Sequence, residues 1–236
     1  MPPLTILPIE GIPEIRPGDP LGELVARAAE AQGTPVGDDD CVVVTQKVVS
    51  KAEGRLVRLD HDDLDARRAI IEGESVRILR RRGDLVISET RHGFVCANAG
   101  VDISNVDDGI AALLPIDGDT SAHRIRNAIR AVTAVDVAVV VSDTFGRAWR
   151  NGLTDVAIGV AGLAAVVDLR GSSDARGRAL RVTEIALADE VAGAAELVMG
   201  KANAIPAAIV RGLDPTWFRA GSVRELVRPP QEDLFR

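Results

Sequence analysis

Short apolar runs alternate with longer amphipathic stretches along this chain. The runs over residues 4–9, 41–45, 85–88, 137–141 and 207–210 have the length and the β-branched content of buried strands. The run at 137–141 in particular is too rich in valine for a stable helix. The pattern therefore predicts a strand at each of these five positions.

Between these runs, apolar residues recur at the three- and four-residue spacing of amphipathic helices. The spacing predicts helices over 21–32 and 62–82, a third that ends near 132 and a fourth that ends near 199. Asp19, the segment 119–121 and Thr183 are the expected N-caps. Because strands and helices alternate without a fixed repeat, we expect a mixed α/β (α+β) fold, as one large domain or two small subdomains.

Three of the predicted strands end in similar polar residues. The segments are VVVTQK at 42–47, LVISET at 85–90 and VVVSDT at 139–144. Apolar strands that end in hydroxyl and charged groups indicate one shared site at a sheet edge.

The most informative stretch is AVDVAVVVSDTFGRAWRNGLTD, residues 134–155. We expect the strand over 137–141 to end in Ser142, Asp143 and Thr144, followed by a loop over 146–152 that contains Arg147 and Arg150. A carboxylate, a hydroxyl and a cationic loop suit a metal-bound phosphate. They equally suit a helix or turn cap with solvated arginines, and both interpretations stay open on this stretch alone.

Two further candidates lie in predicted turns. The strand predicted at 41–45 continues through Val48 and Val49, and Lys51 lies in the turn that follows. Asp102 lies in a turn-rich acidic segment, 101–109. Taken singly, each is more typical of a solvated loop residue.

Composition narrows the possible functions. The 236 residues are 46% hydrophobic and 27% charged, as in ordinary soluble proteins. A net charge of −7, 3% aromatic residues and the lack of tyrosine argue against a nucleic-acid surface. No signal peptide and no apolar run of about 18 residues is present, so we expect no membrane span. Cys41 and Cys96 lack metal or redox spacing, which favours buried thiols in the reducing cytoplasm.

Several familiar sites are absent from the sequence. There is no phosphate-binding GxxxxGK[ST] motif, no dinucleotide-binding GxGxxG motif and no GxSxG nucleophile elbow. The histidines at 61, 92 and 123 are scattered. The remaining donors are oxygen atoms, chiefly those of Asp102, Asp143 and Thr144, which suit Mg²⁺ or Mn²⁺.

At this point the chain resembles a known family, the coenzyme F420-0:L-glutamate ligases. The resemblance rests on five segments in family order: PIEGIPEI (8–15), VVSKAEGR (48–55), AGVDISNV (99–106), SDTFGRAWRNGLTDVAIG (142–159) and VTEIALADEVAGAAELVMGK (182–201). They span nearly the whole chain, and the fourth is particularly specific. Given this resemblance, the interpretation of Lys51 and Asp102 as solvated loop residues is no longer the favoured one.

The resemblance implies a GTP-dependent ligase that adds L-glutamate to F420-0, and further γ-linked glutamates, through an acyl phosphate. It implies an intertwined homodimer of mixed αβ subunits with closely associated subdomains. It also implies two divalent ions, Mg²⁺ or Mn²⁺, and allows for K⁺. A related metal-dependent nucleotide ligase for another acid and a non-catalytic interaction module remain the alternatives.

Site residues follow from the resemblance position by position. GTP would contact Ile12, Pro13, Glu14, Ile15, Gln46, Lys51 and Asn105, and the metals would be held by Asp102, Asp143 and Thr144. The position of Gln46 commonly holds a small hydroxyl residue in the family. We expect Lys51, Asp143, Arg147 and Arg150 to be the catalytic residues. The partner of each arginine stays open between phosphate, the acidic substrate and a structural carboxylate.

The end of the chain contains RPPQEDLFR at 228–236. Its prolines are typical of an extended spacer, and its acidic then apolar residues are typical of the start of a further element. Some members of the family resemble fusions to a flavin-binding, nitroreductase-like domain. We therefore expect residues 1–227 to form the ligase domain. We expect residues 228–236 to be a linker that leads to a nitroreductase-like domain.

Overall fold

A computed structural model describes residues 3–60, 62–102 and 109–234. Within these ranges the chain forms a mixed α/β fold, as predicted. The strands are β1 (Thr5–Ile9), β2 (Cys41–Thr45), β3 (Leu56–Arg58), β4 (Ser75–Arg82), β5 (Leu85–Thr90), β6 (Val95–Ala97), β7 (Ile110–Ala112), β8 (Ala138–Arg147), β9 (Arg150–Ala161), β10 (Val167–Asp168), β11 (Glu184–Ile185) and β12 (Ala207–Arg211). The α-helices are α1 (Leu21–Ala31), α2 (Gln46–Ala52), α3 (Leu64–Glu74), α4 (Gly118–Thr133) and α5 (Leu187–Met199). Short 3₁₀ turns lie at Asn98–Gly100, Pro215–Trp217, Val223–Glu225 and Pro230–Glu232.

The largest sheet has five strands in the order β1-β12-β2-β8-β9. Strands β2 and β8 are parallel neighbours, with Thr45 opposite Ser142, and the other pairs in this sheet are antiparallel. The valines of β2 and β8 are fully buried, which requires cover on both faces of the sheet. Helix α4 packs on β8, β9 and α1, and α5 packs across strands from β9 to β1.

A smaller three-stranded sheet, β4-β5-β6, lies apart from the main sheet. It packs with α3 around a small separate cluster of Ile71, Val86 and Ala99. Strands β3 and β7 form a further antiparallel pair. This division is compatible with two subdomains, although their association and the homodimer stay predictions.

All five strands predicted from the apolar runs are present, but the helix expected over 62–82 is wrong in its second half. The helix begins after Asp63, whose carboxylate accepts a hydrogen bond from the Ala66 backbone N–H at 2.8 Å, and it ends at Glu74. The chain then forms β4, which turns at Gly83 and pairs with β5. Cross-strand pairing outweighs the helical spacing of the apolar residues in this segment.

The predicted N-caps are also wrong in detail. The Asp19 carboxylate accepts from the backbone N–H of Arg16 instead of capping α1. Helix α4 is capped by Asp117, two residues before the expected start, and α5 begins at Leu187, four residues after Thr183.

No helix in the described part of the chain combines the length and apolarity needed to cross a membrane. Both cysteines are buried as free thiols, as predicted. Residues 228–232 and Leu234 are exposed, and the linker assignment of this tail stays a prediction.

Candidate functional site

The predicted shared edge exists for two of the three polar strand ends. Because β2 and β8 are parallel neighbours, their carboxyl ends lie side by side. The third segment, LVISET, forms β5 in the smaller sheet. That sheet reaches the edge through contacts of β6 with β8 and through Phe94, whose ring packs edge-on against Phe145.

Strand β8 does not end at 142–144, and the loop predicted over 146–152 is wrong except for the turn at 148–149. β8 continues to Arg147 and forms a long hairpin with β9 through a tight turn at 148–149. The apolar run predicted only the buried part of β8, because the rest of the strand is polar and more exposed. Asp143 and Thr144 lie within β8, so they cap neither a helix nor a turn, while the arginines are solvent-exposed as that interpretation had them.

The hairpin places Thr144 directly opposite Asp155. The Thr144 hydroxyl donates to Asp155 Oδ1 at 2.6 Å, and the Ser142 hydroxyl donates to Asp155 Oδ2 at 3.1 Å. Asp155 is only 2% exposed, so both of its oxygens need these donors.

Lys201 completes this cluster from the segment after α5. Its ammonium donates to the Thr144 hydroxyl and lies 3.0 Å from Asp155 Oδ1 and 3.3 Å from Glu196 Oε1. Burial works against the charged lysine, but the hydrogen bond and the charge of Asp155 raise the Lys201 pKa above its ordinary value.

Asp143 precedes Thr144 on β8. Burial raises the pKa of Asp143 to about 7, against an ordinary value near 4. The Thr144 backbone N–H donates to Asp143 Oδ1 at 2.8 Å and opposes this rise. The negative charges of Asp102 and Asp155 add to it. Asp143 is thus a carboxylate that would gain from a nearby cation.

Asp102 approaches Asp143 from the segment before β7. Its backbone forms a two-way bridge with Ala112, and its carboxylate Oδ2 lies 2.9 Å from Lys47 Nζ. Cys96 also lies near Asp143; burial and the Asp143 charge raise the thiol pKa to about 12. Cys96 is therefore a neutral neighbour at ordinary pH.

Lys51 lies in the last turn of α2, so the prediction of a turn at this position is wrong. The helix directs the Lys51 ammonium to the Glu14 carboxylate, and the lysine side chain is only 13% exposed. Glu14 is 73% exposed and belongs to the 12–15 segment predicted to contact GTP. The structure thus brings together two predicted GTP-contacting segments that lie far apart in sequence.

The remaining predicted residues are placed differently. Gln46 is buried, and its amide nitrogen donates to the Ser50 hydroxyl at 2.7 Å and to the Leu113 carbonyl at 3.0 Å. Ile15 is buried, Ile12 is half-buried and Pro13 is exposed. Asn105 lies outside the described residues.

Arg147 and Arg150 lie at the exposed tip of the β8–β9 hairpin. Arg147 Nη2 donates to the Asn151 carbonyl at 2.6 Å across the turn. Neither arginine is brought into the Asp143 and Asp102 pair by a described contact, so their catalytic role stays a prediction.

Three site residues were not predicted: Asp155, Lys201 and Lys47. Asp155 and Lys201 both lie inside the segments that carry the family resemblance. The hairpin register would have identified Asp155. A hairpin that turns just after Arg147 places Thr144 opposite Asp155. Lys47 ends the polar segment VVVTQK, which indicated the site edge, but its contact with Asp102 depends on tertiary packing.

The donor set fits a hard divalent cation. Across residues 3–60, 62–102 and 109–234, no three His, Cys, Asp or Glu side chains form a ready-made metal cage. Mg²⁺ typically takes only one or two carboxylates and completes its shell with phosphate oxygens and water. Asp143 and Asp102 match that requirement: burial raises the pKa of Asp143, and the negative charge of Asp102 adds to the rise.

Fold and site together define an α/β protein with a candidate ligand site at the carboxyl ends of two parallel strands. Residues 11–212 match the model of the F420-0:gamma-glutamyl ligase family. The chain is 43% identical over 249 residues to the coenzyme F420:L-glutamate ligase of Methanothermobacter thermautotrophicus, covering 99% of each chain. It is 41% identical to that of Methanopyrus kandleri (100% and 99% covered) and 39% identical to that of Methanocaldococcus jannaschii (92% and 90%). The chain therefore belongs to the F420-0:gamma-glutamyl ligase family.

Proposed function

We propose that this protein is a GTP-dependent ligase that joins L-glutamate to coenzyme F420-0 through a γ-glutamyl amide and then adds further glutamates. The observation that carries the proposal is the similarity over nearly the full length to ligases named for F420 and glutamate. The site supports it, because Asp143, Asp102 and Lys51 supply the charges that a nucleotide triphosphate and its cation require. We place the reaction in the cytoplasm, where the two free thiols would stay reduced.

In this proposal Asp102, Asp143 and Thr144 hold two divalent ions, Mg²⁺ or Mn²⁺, and K⁺ is a monovalent addition. When bound, such ions neutralise the charge of the phosphate oxygens. Asp143 and Asp102 contribute the carboxylates, and Thr144 contributes a hydroxyl that Asp155 orients through their 2.6 Å hydrogen bond. Asp155 therefore acts as a positioning residue.

The lysines and the 12–15 segment would bind the nucleotide. Lys51 is held by Glu14 beside this segment and would donate to a phosphate as a point charge. Half of the Lys201 side chain is exposed, so its ammonium can reach a ligand while Asp155 retains its hydroxyl donors. These groups position the phosphates, which is the main source of catalysis in phosphoryl transfer.

The reaction follows from the chemistry of a carboxylate, which is a poor electrophile. An oxygen of the F420-0 carboxylate attacks the γ-phosphorus of GTP, and GDP leaves with the bonding electrons. The glutamate amine then attacks the acyl carbon, loses a proton and expels inorganic phosphate. One GTP is consumed for each amide formed.

Mass spectrometry tests this proposal directly. Purified protein with F420-0, L-glutamate, GTP and Mn²⁺ is expected to yield a product heavier by one glutamyl residue, then by further residues, with one GDP released per addition. Reactions without glutamate or with EDTA are the controls. If the protein ligated another amino acid or acid and left F420-0 unchanged, a related nucleotide ligase would replace the proposal. If it bound F420-0 without turnover, a non-catalytic module would replace it.

Nucleotide selectivity is a separate prediction. We expect GTP to support ligation at least about tenfold faster than ATP at matched subsaturating concentrations, a difference of about 1.4 kcal/mol in transition-state binding. The basis is family membership, since no guanine-reading motif is apparent in the sequence. Comparable rates with ATP, measured by phosphate release, would contradict it.

We also propose a homodimer. The tip of the β8–β9 hairpin exposes Trp149 (80%) and Leu153 (69%), which a second copy of the chain could cover. Light scattering at micromolar concentration is expected to give twice the chain mass. Trp149→Ala combined with Leu153→Ala is expected to shift the protein toward monomer. Val182→Ala, at an equally exposed position (87%) outside the hairpin, should leave the mass unchanged. A monomeric wild type would refute the dimer.

A further inference from the structure

Lys47 is a charged residue whose contact lies inside the candidate site but which no family motif assigns. Its ammonium lies 2.9 Å from Asp102 Oδ2, and the two side chains are only 22% and 28% exposed. The pair is therefore better shielded than an ordinary surface ion pair, and its charges interact more strongly.

The backbone around this pair is held by several hydrogen bonds. On α2, the Gln46 amide and the Ser50 hydroxyl donate to the Leu113 carbonyl at 3.0 and 2.6 Å. Immediately before Leu113, Ala112 exchanges two backbone hydrogen bonds of 2.9 and 2.7 Å with Asp102. Lys47 and Asp102 are thus anchored to the same segment, so their approach is built into the fold.

Lys47 occupies Oδ2 of the Asp102 carboxylate. The charge of Asp102 acts on Asp143, so a cation shared by these two carboxylates would compete with the Lys47 ammonium for Asp102. Lys47 and Lys51 are four residues apart on α2 and therefore lie on one face of the helix. One lysine contacts Asp102, and the other contacts Glu14 of the 12–15 segment.

We propose that Lys47 is a ligand-binding residue with two alternate partners. Without a divalent ion it holds Asp102 in place and neutralises its charge. When a divalent ion takes Asp102, the displaced ammonium binds a phosphate oxygen of the nucleotide. The inference rests on the proposed function, because it assumes that Asp102 and Asp143 share a cation near the phosphates.

Isothermal titration calorimetry with Mn²⁺ and metal-free protein tests the first state. Lys47→Met removes the competing charge and keeps an unbranched side chain of similar length, so Mn²⁺ is expected to bind about tenfold more tightly than to wild type. A loss of local structure would instead weaken Mn²⁺ binding. Lys47→Arg keeps the charge and is expected to bind Mn²⁺ within about twofold of wild type.

GDP titrated in saturating Mn²⁺ tests the second state. Lys47→Met is expected to weaken GDP binding by about tenfold, because the released ammonium no longer meets a phosphate. Arg27→Met removes one positive charge from the exposed face of α1, where Arg27 pairs with Glu23, and serves as the matched control. Arg27→Met should change neither affinity by more than about twofold.

The outcomes separate this inference from the proposed function. Unchanged or weaker Mn²⁺ binding by folded Lys47→Met overturns the role of Lys47 toward Asp102, while F420-0 ligation by wild type stands on its own assay. Tighter Mn²⁺ binding with unchanged GDP affinity overturns the role toward phosphate. A wild type that ligates glutamate but binds no Mn²⁺ or Mg²⁺ overturns the shared-cation assignment and the inference together.

Discussion

Asp143→Asn is expected to lower the ligation rate at least about 100-fold while the protein stays folded. The substitution removes one carboxylate charge and keeps the shape of the side chain, and the asparagine oxygen can still accept from the Thr144 backbone N–H. Loss of a preorganised charge at a phosphoryl-transfer site typically costs two to three orders of magnitude, roughly 3–4 kcal/mol. The measurement is GDP release with F420-0 and glutamate at saturating Mn²⁺.

The same variant is expected to be more stable than wild type when both are free of metal. Burial raises the folded-state pKa of Asp143 to about 7, above its unfolded value near 4. For a raised pKa, the carboxyl group stabilises the fold most below the unfolded value, and this contribution is lost as pH rises through 7. Asparagine avoids that loss, so its gain in melting temperature should be larger at pH 8 than at pH 5.

Asp189 offers a matched control for the activity measurement. It is also half-buried, accepts a hydrogen bond from the Ala157 backbone N–H at 2.9 Å and has a pKa raised by burial. Asp189→Asn should therefore keep ligation within about threefold of wild type. Full turnover by folded Asp143→Asn would remove Asp143 from the proposed metal site. An Asp189→Asn variant as inactive as Asp143→Asn would show that the loss is not specific to the site.

The central strands were predictable because their signal is local. The valine runs of β2 and β8 are buried on both faces, so every residue is apolar and the run length matches the buried part of the strand. The same property explains the error at the end of β8. Beyond Val141 the strand leaves the core and takes polar residues, and only its pairing with β9 shows that it continues.

Segments whose conformation depends on distant partners were predicted less well. The charged segment after Glu74 has apolar residues at helical spacing, yet it becomes β4 because β5 is available to pair with it. Helix α2 has two adjacent valines, Val48 and Val49, which favour a strand. Its buried polar residues, Gln46 and Ser50, instead bond to Leu113, 67 and 63 residues away.

The residues of the candidate site also fall into two groups, those that a local pattern indicates and those whose contacts depend on tertiary structure. Asp143 and Lys51 could be identified from strand-end patterns and the family resemblance, since both lie in continuous motifs. Asp155 required the hairpin register, and the Lys47–Asp102 pair required the packing of α2 beside β7. The motifs can be read from the sequence, but contacts between residues of different motifs cannot be predicted from local sequence.

The start of α4 approaches β9 more closely than any side chain would allow. A methyl group built on Gly159 would lie 2.1 Å from the Gly118 carbonyl oxygen, and one built on Gly118 would lie 1.9 Å from the Ile158 oxygen. These neighbours are backbone atoms, so they cannot rotate away. The Asp119 carboxylate fixes the approach by accepting from the Val160 backbone N–H at 2.8 Å.

Gly159→Ala is accordingly expected to destabilise the fold by roughly 3 kcal/mol, because α4 must separate from the strand that carries Asp155. For a chain of this length such a loss corresponds to a melting temperature lower by roughly 6–12 °C. Gly73→Ala is the control: Gly73 lies inside α3 with no atom within 4 Å of the added methyl group. Alanine there should keep or raise the melting temperature, since it favours helix by up to about 1 kcal/mol. Equal melting temperatures for Gly159→Ala and wild type would mean that α4 can move off β9 without cost, contrary to the close packing described here.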